Sequence, residues 1–132
     1  MATPLRVLIV EDSEDDAALI VRELQRGGFD VSHQRVDTAT VMNTALETQE
    51  WDLVVSDYSM PGFSGEEALK ILRTKSLDIP FVYVSGTLGE DTAVAALKAG
   101  AQDYVVKGKL KRLVPAIDRL SSEWQKLLKI VR

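Results

Sequence analysis

Four short apolar runs recur along the chain: Val7-Leu8-Ile9-Val10, Leu53-Val54-Val55, Phe81-Val82-Tyr83-Val84 and Tyr104-Val105-Val106. Each is continuous rather than alternating, the pattern of a strand covered on both faces in a parallel sheet. A weaker stretch from Val31 to Val36 alternates apolar with polar positions and predicts an edge strand. Helical spacing fills the intervals. Ala17, Ile20, Val21 and Leu24 follow the i, i+3, i+4, i+7 rule, and Gly27-Gly28 stops that helix. Met42, Ala45 and Leu46 mark a second helix with Thr38 as its N-cap, and Ala68, Ile71 and Leu72 a third, preceded by Ser64. Ala93, Ala96 and Leu97 mark a fourth, closed by Lys98 and Gly100. A fifth begins near Leu110 and runs almost to the end, with Pro115 tolerated only in its first turn.

The order is β-α repeated five times. Right-handed crossovers place helices on both faces of such a sheet, so the fold class is α/β, a doubly wound parallel sheet of five strands in the order 2-1-3-4-5. The 132 residues suit one domain, with a core over about residues 5–120 and residues 121–132 extending the last helix.

Composition narrows the chemistry. Without cysteine there is no disulfide framework, Cys-zinc site or thiol nucleophile, and the one histidine, His33, excludes a histidine dyad and is read as structural. No apolar run approaches the ~20 residues that span a bilayer, and Met1–Pro4 is too short for a signal peptide, so a cytoplasmic protein with no membrane partner is expected. Residues 107–132 carry eight Lys/Arg against two acids, whereas residues 1–106 carry eight against eighteen. The acidic body would repel nucleic acid, so direct nucleic-acid binding is not expected.

The carboxyl ends of the strands carry the informative residues: Glu11 and Asp12 after the first, Asp57 after the third, Ser85 after the fourth and Lys107 after the fifth. In the order 2-1-3-4-5 these four strands are neighbours, so the side chains converge on one rim. Crowded carboxylates repel one another unless a cation joins them. A hard divalent ion with oxygen ligands meets that need, and Mg²⁺ suits a site that leaves room for water and phosphate oxygens. The ion and Lys107 would supply positive charge for a phosphoryl group, Ser85 could donate to one of its oxygens, and Asp57 could act as nucleophile. Taken singly, the acidic residues 11–16 could merely favour a helix N-terminus, and Asp57 could be a turn residue before Pro61-Gly62.

As a set, Val7-to-Ser13 (VLIVEDS), Leu53-to-Gly62 (LVVSDYSMPG), Phe81-to-Thr87 (FVYVSGT) and Gly100-to-Lys107 (GAQDYVVK) resemble a response-regulator receiver domain, the phospho-accepting module of two-component signalling, over about residues 5–120. The resemblance implies a flavodoxin-like fold and a phosphorelay switch that takes a phosphoryl group on Asp57 from a histidine kinase or His-phosphotransfer protein. It implies Mg²⁺ (or Mn²⁺) held by Asp12, Asp57 and the Ser59 backbone carbonyl, with Glu11 assisting through water. It further implies Ser85 as switch hydroxyl, Lys107 as the phosphoryl-pairing lysine and Tyr104 as the aromatic that turns inward. The face of the fourth helix, fifth strand and fifth helix would then control an output domain or partner protein.

Some residues depart from that pattern. Gly108 stands where the family usually has a cis-proline, so a trans Lys107–Gly108 peptide and a looser loop are expected. Glu11 replaces the commoner Asp, and small polar Ser59 and Thr87 leave water access, which predicts moderately fast self-dephosphorylation. Leu113, Ile117, Leu120, Trp124, Leu127 and Val131 are spaced 4, 3, 4, 3, 4. That repeat allows either one amphipathic helix on its own sheet or a homodimer through the C-terminal helix. Two rival functions stand beside the switch, a magnesium phosphohydrolase with an aspartyl nucleophile and a partner-binding pseudo-receiver. The first lacks an acid two places after Asp57, and the complete acid, hydroxyl and lysine set argues against the second.

Overall fold

The computed structural model describes residues 2–75, 78–86 and 89–120. The strands are β1 (Thr3–Val10), β2 (Phe29–Val36), β3 (Leu53–Ser56), β4 (Phe81–Ser85) and β5 (Asp103–Val106). The helices between them are α1 (Glu14–Arg26), α2 (Ala39–Thr48), α3 (Gly65–Thr74) and α4 (Glu90–Lys98). All four strand pairings are parallel and the sheet order is β2-β1-β3-β4-β5, as the sequence predicts.

The continuous apolar runs are explained by two cores, one on each face. Val7, Ile9, Val55, Val84 and Val105 pack with Ile20 and Leu24 of α1 on one side. Leu8, Val10, Val54, Phe81 and Tyr83 pack with Met42 of α2, Leu72 of α3 and Ala96 of α4 on the other. Successive strand residues point to opposite faces, so both sets must be apolar.

Helix starts follow from capping chemistry. Ser13 accepts from the Asp16 amide, Thr38 from the Val41 amide, and Ser64 from the Glu67 amide in a full capping box. Gly100, at φ 115°, supplies the left-handed turn after α4 that a side chain would resist.

Three expectations need correction. β1 and β2 begin earlier than their apolar runs, at Thr3 and Phe29, where they pair only with each other and lie largely exposed. With one face open, that stretch carries no continuous apolar signature. His33 lies exposed on this edge strand. The chain also does not loosen after β5. It enters a 3-10 helix at once (Lys107–Arg112), kinked at Lys109, before α5 (113–120), which holds Pro115 in its first turn. Gly108 keeps an amide N–H and conformational freedom that proline would remove, and Leu110 tucks against the core. The peptide bonds of the described residues are all trans, including Lys107–Gly108.

Leu113, Ile117 and Leu120 are buried against the chain's own sheet. The rest of the heptad (Trp124, Leu127, Val131) and Thr87 lie outside the described residues. No helix among those described is long and apolar enough to cross a membrane.

Candidate functional site

The backbone of the rim is fixed by the sheet itself. The Glu11 amide donates to the Val36 carbonyl (3.0 Å) and the Asp57 amide to the Val10 carbonyl (2.9 Å), each extending a strand ladder by one residue. Ser85 closes β4 and is paired with Val106, so Lys107 leaves the sheet beside it.

Asp57 is the junction of the side chains. Its Oδ1 accepts from the Tyr58 amide and from the Ser85 hydroxyl, both at 2.7 Å. Its Oδ2 accepts from Lys107 Nζ at 3.3 Å. The same ammonium donates to Glu11 Oε1 at 2.6 Å and to Asp16 Oδ2 at 2.8 Å. Glu11, Asp57, Ser85 and Lys107 are therefore brought together although they are up to 96 positions apart in sequence. Asp12 is exposed beside them and offers an oxygen to the same cluster. Ser59 lies exposed in the loop after Asp57. Tyr104 is half-buried, its hydroxyl 3.4 Å from the carbonyl of Gly86 next to Ser85, and its ring 6.2 Å from that of Tyr83.

The electrostatics follow from burial and from that ammonium. Burial drives the Asp57 carboxyl upward, but the Ser85 hydrogen bond and the Lys107 charge outweigh it and hold the group below its ordinary value. Glu11 goes the other way. Burial, abetted by the Asp57 charge, pushes it up to about 7 although Lys107 opposes the change. Burial also raises the Tyr104 phenol, with the Ser85 hydroxyl lowering it and the Asp57 charge raising it. Burial lowers Lys107, but its bonds to Asp16 and Glu11 raise it well above an ordinary lysine, so it stays charged.

The donor set suits a divalent cation. Oxygens of Glu11, Asp12 and Asp57 lie within 4.8 Å of one another. Glu11 Oε2 is buried without a hydrogen-bond partner, and a buried carboxylate oxygen left so is costly unless a cation meets it.

Three participants escape the sequence reading. Asp16 contacts Lys107, and its only signal is its place four residues after Asp12, in the first turn of α1. Tyr58 fixes Asp57 through its amide while its hydroxyl donates to Glu66 at 2.6 Å. Gly65 packs against the Asp57 carbonyl so closely that a Cβ would collide with it.

The chain resembles known proteins in sequence and in fold. The family described as "Response regulator receiver domain" matches residues 7–118. The transcriptional regulatory protein PrrA of Mycobacterium leprae is 39% identical over 102 residues, covering 77% of this chain and 43% of that protein. The response regulator protein FleR of Pseudomonas aeruginosa is 33% identical over 102 residues, covering 77% of this chain and 21% of that protein. The chain thus spans less than half the length of these relatives. Among solved structures, the signal receiver domain of a signal transduction histidine kinase from Syntrophus aciditrophicus superposes with a TM-score of 0.74. It is 28% identical, and the match covers 90% of this chain and 91% of that one. With the family match and the sheet order in agreement, the chain belongs to the receiver domains of two-component response regulators.

Proposed function

We propose that this receiver is switched by transfer of a phosphoryl group to Asp57. The observation that carries the reading is the pair of contacts on that carboxylate, Ser85 on one oxygen and Lys107 on the other. A histidine kinase or His-phosphotransfer protein is the donor. One P–N bond breaks at its phosphohistidine as one P–O bond forms at Asp57, and the leaving imidazole keeps the bonding pair. Asp12, Asp57 and the Ser59 carbonyl, helped by Glu11, would hold Mg²⁺ (or Mn²⁺), whose charge lets an anionic donor approach an anionic acceptor. Lys107 then neutralises one phosphoryl oxygen and Ser85 donates to another. Ser59 and Thr87 are small and polar in the sequence, which favours self-hydrolysis of the phospho-form within hours.

Drawing Ser85 toward the phosphoryl group empties space beside Gly86, and Tyr104, already at that carbonyl, moves inward to fill it. The phosphorylated state thereby selects one arrangement of the α4–β5–α5 face. That face carries exposed Val94 and Leu97, which suits docking to an output domain or partner protein, or pairing of two copies through the C-terminal helix.

Incubation with acetyl phosphate and Mg²⁺ followed by intact mass tests the reading. Wild type is expected to gain one phosphoryl group and Asp57→Ala none. A gain in both, or in neither, overturns it. Catalytic turnover of phosphate esters would favour a hydrolase instead.

A further inference from the structure

We infer that Asp16 is a positioning residue of the phosphorylation site, one that holds Lys107 back from Asp57 in the resting protein and so restrains phosphorylation. This rests on the reading of Asp57 as acceptor.

Three distances carry it. A lysine ammonium has three N–H donors, and here all three are engaged: Glu11 at 2.6 Å, Asp16 at 2.8 Å and Asp57 at 3.3 Å. Strong N⁺–H···O⁻ bonds lie at about 2.7–2.9 Å, so the resting ammonium is held by Glu11 and Asp16, with Asp57 its weakest partner. Lys107 can reach a phosphoryl oxygen only by releasing one of these bonds.

The two competitors differ. Glu11 belongs to the oxygen cluster that suits a cation, and a cation there would satisfy its charge. Asp16 lies outside that cluster, so its hold on Lys107 persists with or without the ion. It sits in the first turn of α1, its amide fixed by the Ser13 cap and its side chain 37% exposed. From there it draws the ammonium toward α1 and adds negative charge near the path of an anionic donor. Both effects oppose phosphorylation. Removing the carboxylate charge while keeping the side-chain shape should therefore free Lys107 for the phosphoryl group.

The test compares wild type, Asp16→Asn, Asp16→Glu and Asp15→Asn in Mg²⁺. Asp15 lies in the same turn and is exposed. Its substitution removes the same charge from the α1 N-terminus, and among the described residues the ion pairs of Lys107 are with Glu11, Asp16 and Asp57. The readouts are beryllofluoride affinity by calorimetry and the acetyl phosphate rate by intact mass. For Asp16→Asn we expect affinity and rate to rise about three- to tenfold, the effect of a partly exposed ion pair acting through its partner. Asp16→Glu, which keeps a carboxylate within reach, should stay near wild type, and Asp15→Asn should change either readout less than twofold. Asp16→Ala repeats the comparison should the Asn variant fold poorly. Equal effects of Asp16→Asn and Asp15→Asn would reduce Asp16 to a helix-terminal charge and overturn the inference. So would a loss of affinity on removing Asp16. If wild type itself gains no phosphoryl group, the underlying reading fails instead, and the wild-type arm alone reveals that.

Discussion

Glu11 is the residue whose environment is most at odds with its charge. It is 1% exposed, one of its oxygens has no partner, and its carboxyl is pushed up to about 7 from an ordinary 4.5. Between those two values the folded protein holds a proton that the unfolded chain has released. The contribution of Glu11 to the stability of the metal-free protein should then fall as pH rises through that window, by about 3 kcal/mol at most. Asp57 contributes with the opposite sign. Held below its ordinary value, it adds stability that is present above about pH 4 and lost as pH falls further. Urea unfolding in chelator at pH 5 and pH 7.5 should show the Glu11 slope in wild type, and Glu11→Gln should flatten it. Equal slopes in the two proteins would assign the effect elsewhere. If Mg²⁺ binds the Glu11–Asp12–Asp57 cluster as proposed, it should recover the loss at pH 7.5, by about 2.7 kcal/mol at a hundred times its dissociation constant. At pH 5, where the carboxyl is protonated, the gain should be smaller.

At the scale of single elements, the start of α3 shows how a helix terminus serves the site. Ser64 and Glu67 form the capping box, and the next residue, Gly65, lies in the angle between the Asp57 carbonyl, the Tyr83 ring and the Tyr58 backbone. The Gly65 amide donates to the Tyr58 carbonyl at 2.9 Å, closing the loop that carries Asp57 and Tyr58. Ser64→Ala should cost about 1 kcal/mol in a thermal or urea melt and leave the acetyl phosphate rate near wild type, since only the cap is lost. Gly65→Ala should cost about 1–3 kcal/mol and also slow phosphorylation, because the new Cβ would press on the carbonyl of Asp57. Full activity in Gly65→Ala would mean that α3 yields instead of the loop. The Ser64 cap was legible in the sequence, since a side chain that bonds three residues ahead is a local event. Gly65 was not, because its reason is a contact with an element eight residues back and another on β4. The same division explains the exposed halves of β1 and β2 and the 3-10 turn after Lys107. Periodicity reports burial, and these segments are defined by backbone pairing with one face open.

Across the whole molecule, the rim was legible because topology alone decides which strand ends are neighbours. Once the order 2-1-3-4-5 is set, Asp12, Asp57, Ser85 and Lys107 must meet. Which carboxylate Lys107 prefers depends on side-chain reach across 91 positions, and no pattern in the chain encodes it. The proposed response of the molecule to phosphorylation is also a property of the whole. α4 buries Ala96 alone among its side chains and has no side-chain cap, whereas α1 buries four side chains and α3 three together with Gly65. A helix so lightly held opens at low free energy, and its amides should exchange with solvent faster than those of α1 or α3. Tyr104, on β5, has its hydroxyl at Gly86 and its ring beside Tyr83. If the inward movement of Tyr104 couples the rim to α4, beryllofluoride in Mg²⁺ should slow exchange in α4 and β5, as read by hydrogen–deuterium mass spectrometry, and leave β2 unchanged. Tyr104→Ala should still accept a phosphoryl group at Asp57, because the hydroxyl and lysine contacts remain, yet lose the protection of α4. Protection that survives in Tyr104→Ala would show the signal leaving the rim by another route, through Tyr58 and its bond to Glu66 on α3. The phosphoryl group would then bias α3 before α4, and exchange in α3 would report it first.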